Sequence, residues 1–218
     1  MSAGGLAQAF AVVRDWIEGS SRPAPEPGDL GAFDLRLRPP ASEASIAMFE
    51  RTIGRAVPPE LRELMRLADG QDEDFVEQDL TWLPSARLLS VEAIERSWAD
   101  ARPWDRELET EELQDVERIR RLVRHPAWIP IAGDAEADLF LDLAPGPKGT
   151  VGQLISFVSE SELKVIAPSL GAFFETYAGL IEEGALIIRK GAYGWSVAPA
   201  EPVGRFDTMR RLFREALT

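Results

Sequence analysis

The sequence predicts an α+β fold for this 218-residue chain, and three patterns lead to that prediction. Apolar residues recur at helical spacing through the first half of the chain, which is typical of amphipathic helices. Short β-branched and aromatic runs bounded by glycine and proline follow and predict hairpins, and a further helical stripe comes after them. Hydrophobic residues make up 45% of the chain, which is ordinary for a globular protein and too many for a disordered one.

The first part of the chain contains three predicted helices. Apolar residues at Leu6, Phe10, Val13 and Ile17 predict a helix over residues 3–18, and prolines then form an extended linker. Ser42 is a favourable N-cap for a second helix, which Gly54 ends. Pro59 opens a third helix in its first turn, and Gly70 ends it.

The middle of the chain is predicted to hold two short strands, at residues 80–83 and 86–89, followed by two helices. Ser90 caps the first of these helices, in which Ile94 and Trp98 lie on the apolar face. Residues 106–124 are predicted to form the second, because its acidic residues come first and its arginines last, the order that the helix dipole favours.

The last part is predicted to consist mainly of strands. An apolar run at 128–132 precedes a hairpin with strands at 139–143 and 152–158, and residues 165–167 are extended. Ser169 then caps a helix with an aromatic face. A second hairpin and a last helix complete the chain, with the hairpin strands at 185–189 and 195–197 and the helical stripe at Phe206, Met209, Phe213 and Ala216.

Composition and charge exclude several classes of function. The chain has no cysteine, which excludes disulfides, thiolate nucleophiles, iron–sulfur clusters and cysteine-based zinc sites. Its 37 acids and 24 bases give a net charge of −13, so its field repels nucleic acids and anionic membranes and favours a basic partner. We find no targeting segment and no run of about 18 apolar residues, and therefore expect a cytoplasmic protein.

A strongly acidic segment is the first candidate contact surface. Residues 69–79 carry six carboxylates, no basic residue and one aromatic side chain. Such a segment is expected to attract a basic protein surface and to hold it through an aromatic contact, and the simpler alternative is a solvated loop. The residues of this candidate surface are Asp69, Asp72, Glu73, Asp74, Phe75, Glu77 and Asp79.

Asp134, Glu136 and Asp138 form a second acidic cluster, with Asp142 further along. In an extended chain alternate residues share a face, so these carboxylates would converge, and oxygen ligands suit hard cations. The spacing lacks the glycine and the distal glutamate of an EF-hand loop, so a solvated turn is the favoured interpretation. We add Asp134, Glu136 and Asp138 to the candidate contact surface and predict no metal site and no cofactor.

No catalytic centre is predicted. His125 is the one histidine, and at the basic end of a predicted helix it is expected to cap that helix. The sequence contains no nucleophile elbow, P-loop or Gly-x-Gly-x-x-Gly pattern. A carboxylate-based hydrolase or metal-dependent enzyme that uses Asp134 or Asp138 is the alternative from the enzyme class.

Several short segments become informative when they are taken together and in order. They are Trp16-Ile17-Glu18, Ala41-Ser42 with Ile46 and Glu50, residues 57–64, Asp69-Gly70-Gln71, residues 128–134, residues 139–143, Pro145-Gly146, Gly149, residues 152–155 and Ala167-Pro168-Ser169 with Phe173 and Phe174. Together they resemble the Smi1/Knr4 family of SUKH-type proteins. The chain departs from the family at residues 135–138, where the family often has glycines, and the stretch from Ala185 onward lies outside the resemblance.

The resemblance implies a single α+β domain in which a mostly antiparallel sheet packs against helices. We place this domain at residues 39–183, with an N-terminal helix and proline-rich linker at 1–38 that pack on it, and a C-terminal hairpin and helix extension at 184–218. Bacterial members of the family are typically immunity proteins that bind and neutralise toxins, often nucleases. Fungal members regulate cell-wall synthesis through protein contacts, and neither group is known for a shared catalytic site.

The sequence therefore predicts a non-catalytic, cytoplasmic protein-binding module, specifically a bacterial immunity protein that neutralises a cognate toxin with a basic surface. A regulatory scaffold of the same fold, acting in cell-wall or other signalling through protein contacts, is the alternative. We expect a monomer or a weak homodimer, with no nucleic-acid or membrane partner.

Overall fold

The computed structural model describes residues 5–20, 33–72, 80–81, 86–100, 117–122, 124–133, 137–158, 162–191 and 194–200. The helices in these ranges are α1 (Gly5–Gly19), α2 (Glu43–Ile53), α3 (Pro59–Leu67), α4 (Val91–Asp100) and α5 (Leu170–Glu182). The strands are β1 (Leu80–Thr81), β2 (Arg87–Leu88), β3 (Trp128–Gly133), β4 (Ala137–Asp142), β5 (Gln153–Val158), β6 (Glu162–Ala167), β7 (Leu186–Gly191) and β8 (Gly194–Pro199). The predicted last helix, from about residue 206, lies outside the described residues.

The helix ends follow local capping chemistry. The Ser42 hydroxyl accepts a hydrogen bond from the Ser45 N–H at 3.0 Å, and Gly54 ends α2 in the left-handed conformation with φ 69°. The prediction for both residues is confirmed. Helix α3 begins at Pro59 as predicted but ends at Leu67, before Gly70, because Ala68 already has extended backbone angles.

Two sheets form, and their pairing confirms the α+β fold. The larger sheet has the order β2-β3-β4-β5-β6 and is antiparallel throughout. The smaller sheet has the order β1-β8-β7, with an antiparallel β7–β8 hairpin and a short parallel pairing of β1 with β8. Both predicted hairpins are confirmed, whereas the pairing of β1 with β8 links segments more than a hundred residues apart in the sequence.

The predicted helix over residues 106–124 is wrong at its C-terminal end. Residues 117–122 form turns and an isolated bridge, and residues 106–116 lie outside the described part of the chain. Bonds to a distant turn replace helical bonds here: the Glu117 carbonyl accepts from the Lys148 N–H and the Arg118 carbonyl from the Gly146 N–H, each at 2.9 Å. His125 therefore does not cap a helix, and its Nδ1 accepts from the Ala127 N–H at 3.0 Å.

The two faces of the larger sheet pack differently. One face joins the helices in the main core, which includes Ile131, Leu139 and Leu154. The opposite face carries a smaller apolar cluster around Trp128 and Phe140. Trp98, on the predicted apolar face of α4, and Trp128 of β3 are both buried.

The N-terminal helix and the C-terminal hairpin contribute to the same main core as the rest of the domain. From α1, the buried side chains include Phe10 and Val13, and from the hairpin they include Leu186 and Val197. The Phe10 ring packs against the Phe174 ring of α5, with centroids 5.8 Å apart. No helix among the described residues is long and apolar enough to cross a membrane.

Candidate protein-binding edge

Asp69, the first residue of the predicted acidic surface, is used within the fold. Its Oδ1 accepts a hydrogen bond from the Val91 N–H at 2.7 Å, at the start of α4, and its Oδ2 lies 3.8 Å from Arg38. The Ser90 hydroxyl accepts from the Ala93 N–H at 3.1 Å, so Ser90 and Asp69 together satisfy two of the free N–H groups of α4. With only 17% of its side chain exposed, Asp69 has little surface to offer a partner.

Asp72 is more exposed and forms an ion pair with Arg36. The Arg36 Nη2 lies 2.9 Å from the Asp72 Oδ2, and 44% of the Asp72 side chain is exposed. The Asp72 N–H also donates to the Arg36 carbonyl at 2.9 Å. Arg36 has a positive φ of 47°, which is unfavourable for a residue with a side chain, and its N–H donates to the Asp34 carboxylate. The start of the acidic segment is thus fixed at a strained backbone position.

Asp138 is the described member of the second predicted cluster, which also contains Asp134 and Glu136. Its Oδ2 lies 2.6 Å from the Arg124 Nη2, and 29% of its side chain is exposed. The Arg124 guanidinium also lies over two aromatic rings, 4.6 Å from the Phe140 centroid and 5.1 Å from the Phe157 centroid. Arg124 therefore holds Asp138 against the face of the larger sheet that is opposite the main core.

The remaining predicted contact residues lie outside the described part of the chain. In the first segment these are Glu73, Asp74, Phe75, Glu77 and Asp79, and in the second they are Asp134 and Glu136. The described residues on either side show where each segment is attached to the fold.

Sheet register brings the two attachment points to one end of the larger sheet. Gly70 lies against Leu89, and the Gln71 N–H donates to the Leu88 carbonyl at 2.8 Å, so the chain reaches Asp72 while running antiparallel to β2. Arg87 of β2 pairs with Gly133 of β3, which pairs in turn with Asp138. Asp72 and Gly133 are thus about two strand spacings apart, or about 10 Å. We call this end of the sheet, at which the segments 73–79 and 134–136 are attached, the acidic edge.

The far end of the first acidic segment is attached to the smaller sheet. Leu80 pairs with Trp195 of β8, and the Trp195 indole packs edge-on against the buried Phe33 ring at 5.2 Å. Trp195, Arg36 and Arg124 are not among the contact residues that the sequence predicts. No local sequence pattern identifies these three residues as part of the site, because their partners are distant in the sequence.

Asp142, the last carboxylate of the second cluster, faces inward and is fully buried. Burial raises the pKa of Asp142 above its usual value. Hydrogen bonds from the Ala144 N–H and the Gln153 amide, the Trp128 indole and the charge of His125 act in the opposite direction on this pKa. Asp142 is therefore separate from the acidic edge, although it shares one face of β4 with Asp138.

The described carboxylates of the acidic edge are already paired with arginines, so they add little net charge. The segments 73–79 and 134–136 contain six acidic residues and no basic residue. A negative field at this edge therefore depends on these six side chains. Among the described residues there is no group of three or more acidic, histidine or cysteine side chains that could hold a metal ion.

The order of helices and strands, together with the sequence, places this α+β domain in a known class of protein. The sequence pattern of the SMI1 / KNR4 family (SUKH-1) matches residues 40–176, which is more than half of the chain. The chain belongs to this family. Helix α1 and the β7–β8 hairpin lie outside the matched range although they pack into the same core.

Curated relatives with sequence similarity come from fungi. The cell wall biosynthesis/cell cycle regulator smi1 of Schizosaccharomyces pombe is 29% identical over 164 residues, which cover 68% of this chain and 32% of the relative. The cell wall assembly regulator SMI1 of Saccharomyces cerevisiae is 40% identical over 68 residues, or 30% of this chain and 14% of the relative. The glucan synthesis regulatory protein of Neurospora crassa is 41% identical over 68 residues, or 30% and 13%. The matched part of the chain thus spans about a third or less of these relatives.

Proposed function

We propose that the chain is a non-catalytic protein-binding module that acts as an immunity protein and neutralises a cognate toxin with a basic surface. The observation that carries the proposal is that two base-free acidic segments are attached at one end of the sheet, in a protein with a net charge of −13. Such an edge steers a basic partner toward it and favours rapid association. Membership of the SMI1/KNR4 family supports a role through protein contacts.

Co-expression with a candidate toxin tests this proposal. The candidate is a protein with a basic C-terminal domain encoded beside the gene for this chain, expressed in cells that it kills. We expect the chain to restore growth and to copurify with the toxin in a stoichiometric complex. Growth arrest that persists despite soluble expression of both proteins, with no complex on gel filtration, would contradict the proposal.

A second candidate function is a regulatory scaffold that works through contacts with housekeeping proteins. The names of the fungal relatives, which describe regulators of cell-wall assembly and glucan synthesis, favour it. Under this alternative, deletion of the gene changes cell-wall properties in the absence of any toxin. The immunity role predicts no such change, so the deletion phenotype separates the two functions.

The proposal that the domain is not an enzyme also has a direct test. Catalysis by the second acidic cluster requires its carboxylates, so Asp134→Asn and Asp138→Asn would each abolish it. If the chain is an immunity protein, the Asp134→Asn variant still protects against the toxin, although it binds the toxin more weakly. Complete loss of protection in this variant, with unchanged toxin binding, would instead indicate a catalytic role.

A further inference from the structure

The face of the larger sheet opposite the main core has its own apolar cluster. Its fully buried members are Ile119, Trp128, Phe140, Ile155 and Leu163. Four of them come from the strands, and Ile119 comes from residues 117–122, which we call the strap. We propose that the strap is a conformational device that opens as a unit, independently of the rest of the fold, and uncovers this face of the sheet.

Three of the hydrogen bonds that hold the strap come from one short part of the fold. The Gly146 and Lys148 N–H groups donate to the Arg118 and Glu117 carbonyls, each at 2.9 Å. The Arg120 Nε donates to the Ala144 carbonyl at 2.8 Å. All three bonds join the strap to the turn between β4 and β5, so they form and break together.

Two glycines of that turn allow the strap to approach closely. A Cβ added at Gly146 would lie 2.6 Å from the Glu117 carbonyl oxygen, and one at Gly149 would lie 2.2 Å from the Arg118 carbonyl oxygen. Both distances are far below a van der Waals contact, and the atoms involved are backbone atoms that cannot rotate away. Docking of the strap therefore requires the absence of side chains at these positions.

A buried polar pair ties the strap to the sheet. The Gln153 amide donates to the Arg118 carbonyl at 2.8 Å and to the Asp142 Oδ2 at 2.9 Å. Asp142 and Gln153 are fully buried, and removing a carboxylate from water costs free energy even when it is hydrogen-bonded. The closed strap thus keeps a polar pair away from water.

Two further donors on this face are buried in the closed state. The buried Arg124 Nη1 and Trp128 Nε1 have no hydrogen-bond partner among the described residues. The Trp128 indole helps to lower the pKa of Asp142 but does not reach hydrogen-bond geometry with it. Unsatisfied buried donors lower the stability of the state that contains them, and hydration on opening relieves this penalty. The closed strap is therefore expected to be less stable than the main core.

Amide hydrogen exchange of the full chain tests the proposal without any substitution. The strap reporters are the Gly146 and Lys148 amides, and the core reporters are the Gln71 and Leu89 amides, which donate to the Leu88 and Ile131 carbonyls. We expect protection of the strap reporters to be lower than that of the core reporters by a factor of about 100 or more. Equal protection of the two sets, with the same dependence on urea, would overturn the proposal.

The Gly146→Ala variant provides the second measurement, because the atoms nearest to an added Cβ there all belong to the strap, whereas a Cβ at Gly149 would also lie 2.6 Å from the Pro145 Cβ of its own turn. It disfavours the closed strap, so protection of the amides at positions 146 and 148 should fall by about tenfold or more while protection of the core reporters falls much less. The control is Gly19→Ala, which adds the same methyl group where no atom lies within 4 Å and should leave both sets unchanged. Equal falls in both sets for Gly146→Ala would show that the strap unfolds only with the whole domain.

Discussion

Two glycines with nearly the same backbone conformation have very different surroundings. Gly54 has φ 69° with no atom within 4 Å of an added Cβ, whereas at Gly70, with φ 71°, that Cβ would lie 2.4 Å from the Leu89 carbonyl carbon. Alanine at either position meets the left-handed penalty of about 1 kcal/mol. At Gly70 alone a clash with backbone adds about 1–3 kcal/mol more.

We therefore expect Gly70→Ala to lower the free energy of unfolding by about 2–4 kcal/mol and Gly54→Ala by about 1 kcal/mol. Urea denaturation with a common slope for both variants and the wild type measures the difference. Equal losses would mean that the chain at Gly70 moves away from Leu89 at no cost.

The stability of the fold depends on pH through Asp142, and the direction of this dependence follows from the burial of its carboxyl group. Because burial raises the folded-state pKa of Asp142 above 3.8, the folded protein binds this proton more tightly than the unfolded chain does. The contribution of this group to stability is full below its unfolded pKa and is lost as the pH rises through its folded pKa. Asparagine does not ionise and removes this dependence.

The stability of Asp142→Asn relative to the wild type should therefore improve as the pH rises from about 4 to about 7. Urea denaturation of both proteins at the two pH values gives the comparison, and other titrating groups cancel because they are common to both. A difference that does not change with pH would show that the hydrogen bonds to Asp142 offset the effect of burial on its pKa.

Among the secondary-structure elements, α1 shows how far the domain extends beyond the range matched by the family. Its Phe10 side chain is 2% exposed and packs on α5. We expect Phe10→Ala to cost about 3–5 kcal/mol in unfolding free energy, as for other buried phenylalanines. Met48→Ala on α2, where 55% of the residue is exposed, is the control and should change stability by about 0.5 kcal/mol or less. A loss of under 1 kcal/mol for Phe10→Ala, on the same scale as the control, would mean that α1 adds little to the core.

The elements that the sequence predicts correctly are those that depend on local chemistry. Ser42 caps α2 and Ser169 caps α5 through bonds to N–H groups three residues away, and the β4–β5 hairpin joins neighbouring segments. The order of acidic residues and arginines over 106–124 predicts a helix that includes the strap, yet contacts to Gly146 and Gly149 override that preference.

The acidic edge also depends on long-range contacts that the sequence does not predict. The sequence identifies both acidic segments, but only the register of β2, β3 and β4 shows that their attachment points lie at the same end of the sheet. Arg36 and Arg124, which pair with Asp72 and Asp138, are separated from them by 36 and 14 positions and carry no local pattern. Long-range pairing of this kind is decided by the packed structure, not by any short window of sequence.

At the scale of the whole molecule, the location of charge matters more than its total under the proposed function. The acidic edge can be weakened by the triple variant Asp72→Asn, Glu73→Gln and Asp74→Asn, which removes three negative charges from one end of the sheet. The control removes three charges elsewhere, through Glu18→Gln, Glu182→Gln and Glu183→Gln, all at exposed positions. Both variants have the same net charge, and the edge variant additionally removes the Arg36–Asp72 ion pair.

With the toxin identified by co-expression, the edge variant should associate about tenfold more slowly at low salt, because steering depends on charge near the contact. Its association rate should also vary less with ionic strength than that of the wild type. The control variant should stay within about twofold of the wild type, because none of its three residues belongs to the acidic edge. Stopped-flow mixing at several salt concentrations measures both effects. Equal slowing of the two variants would assign the effect to net charge, and no slowing of either would leave the acidic edge with a role in solubility alone.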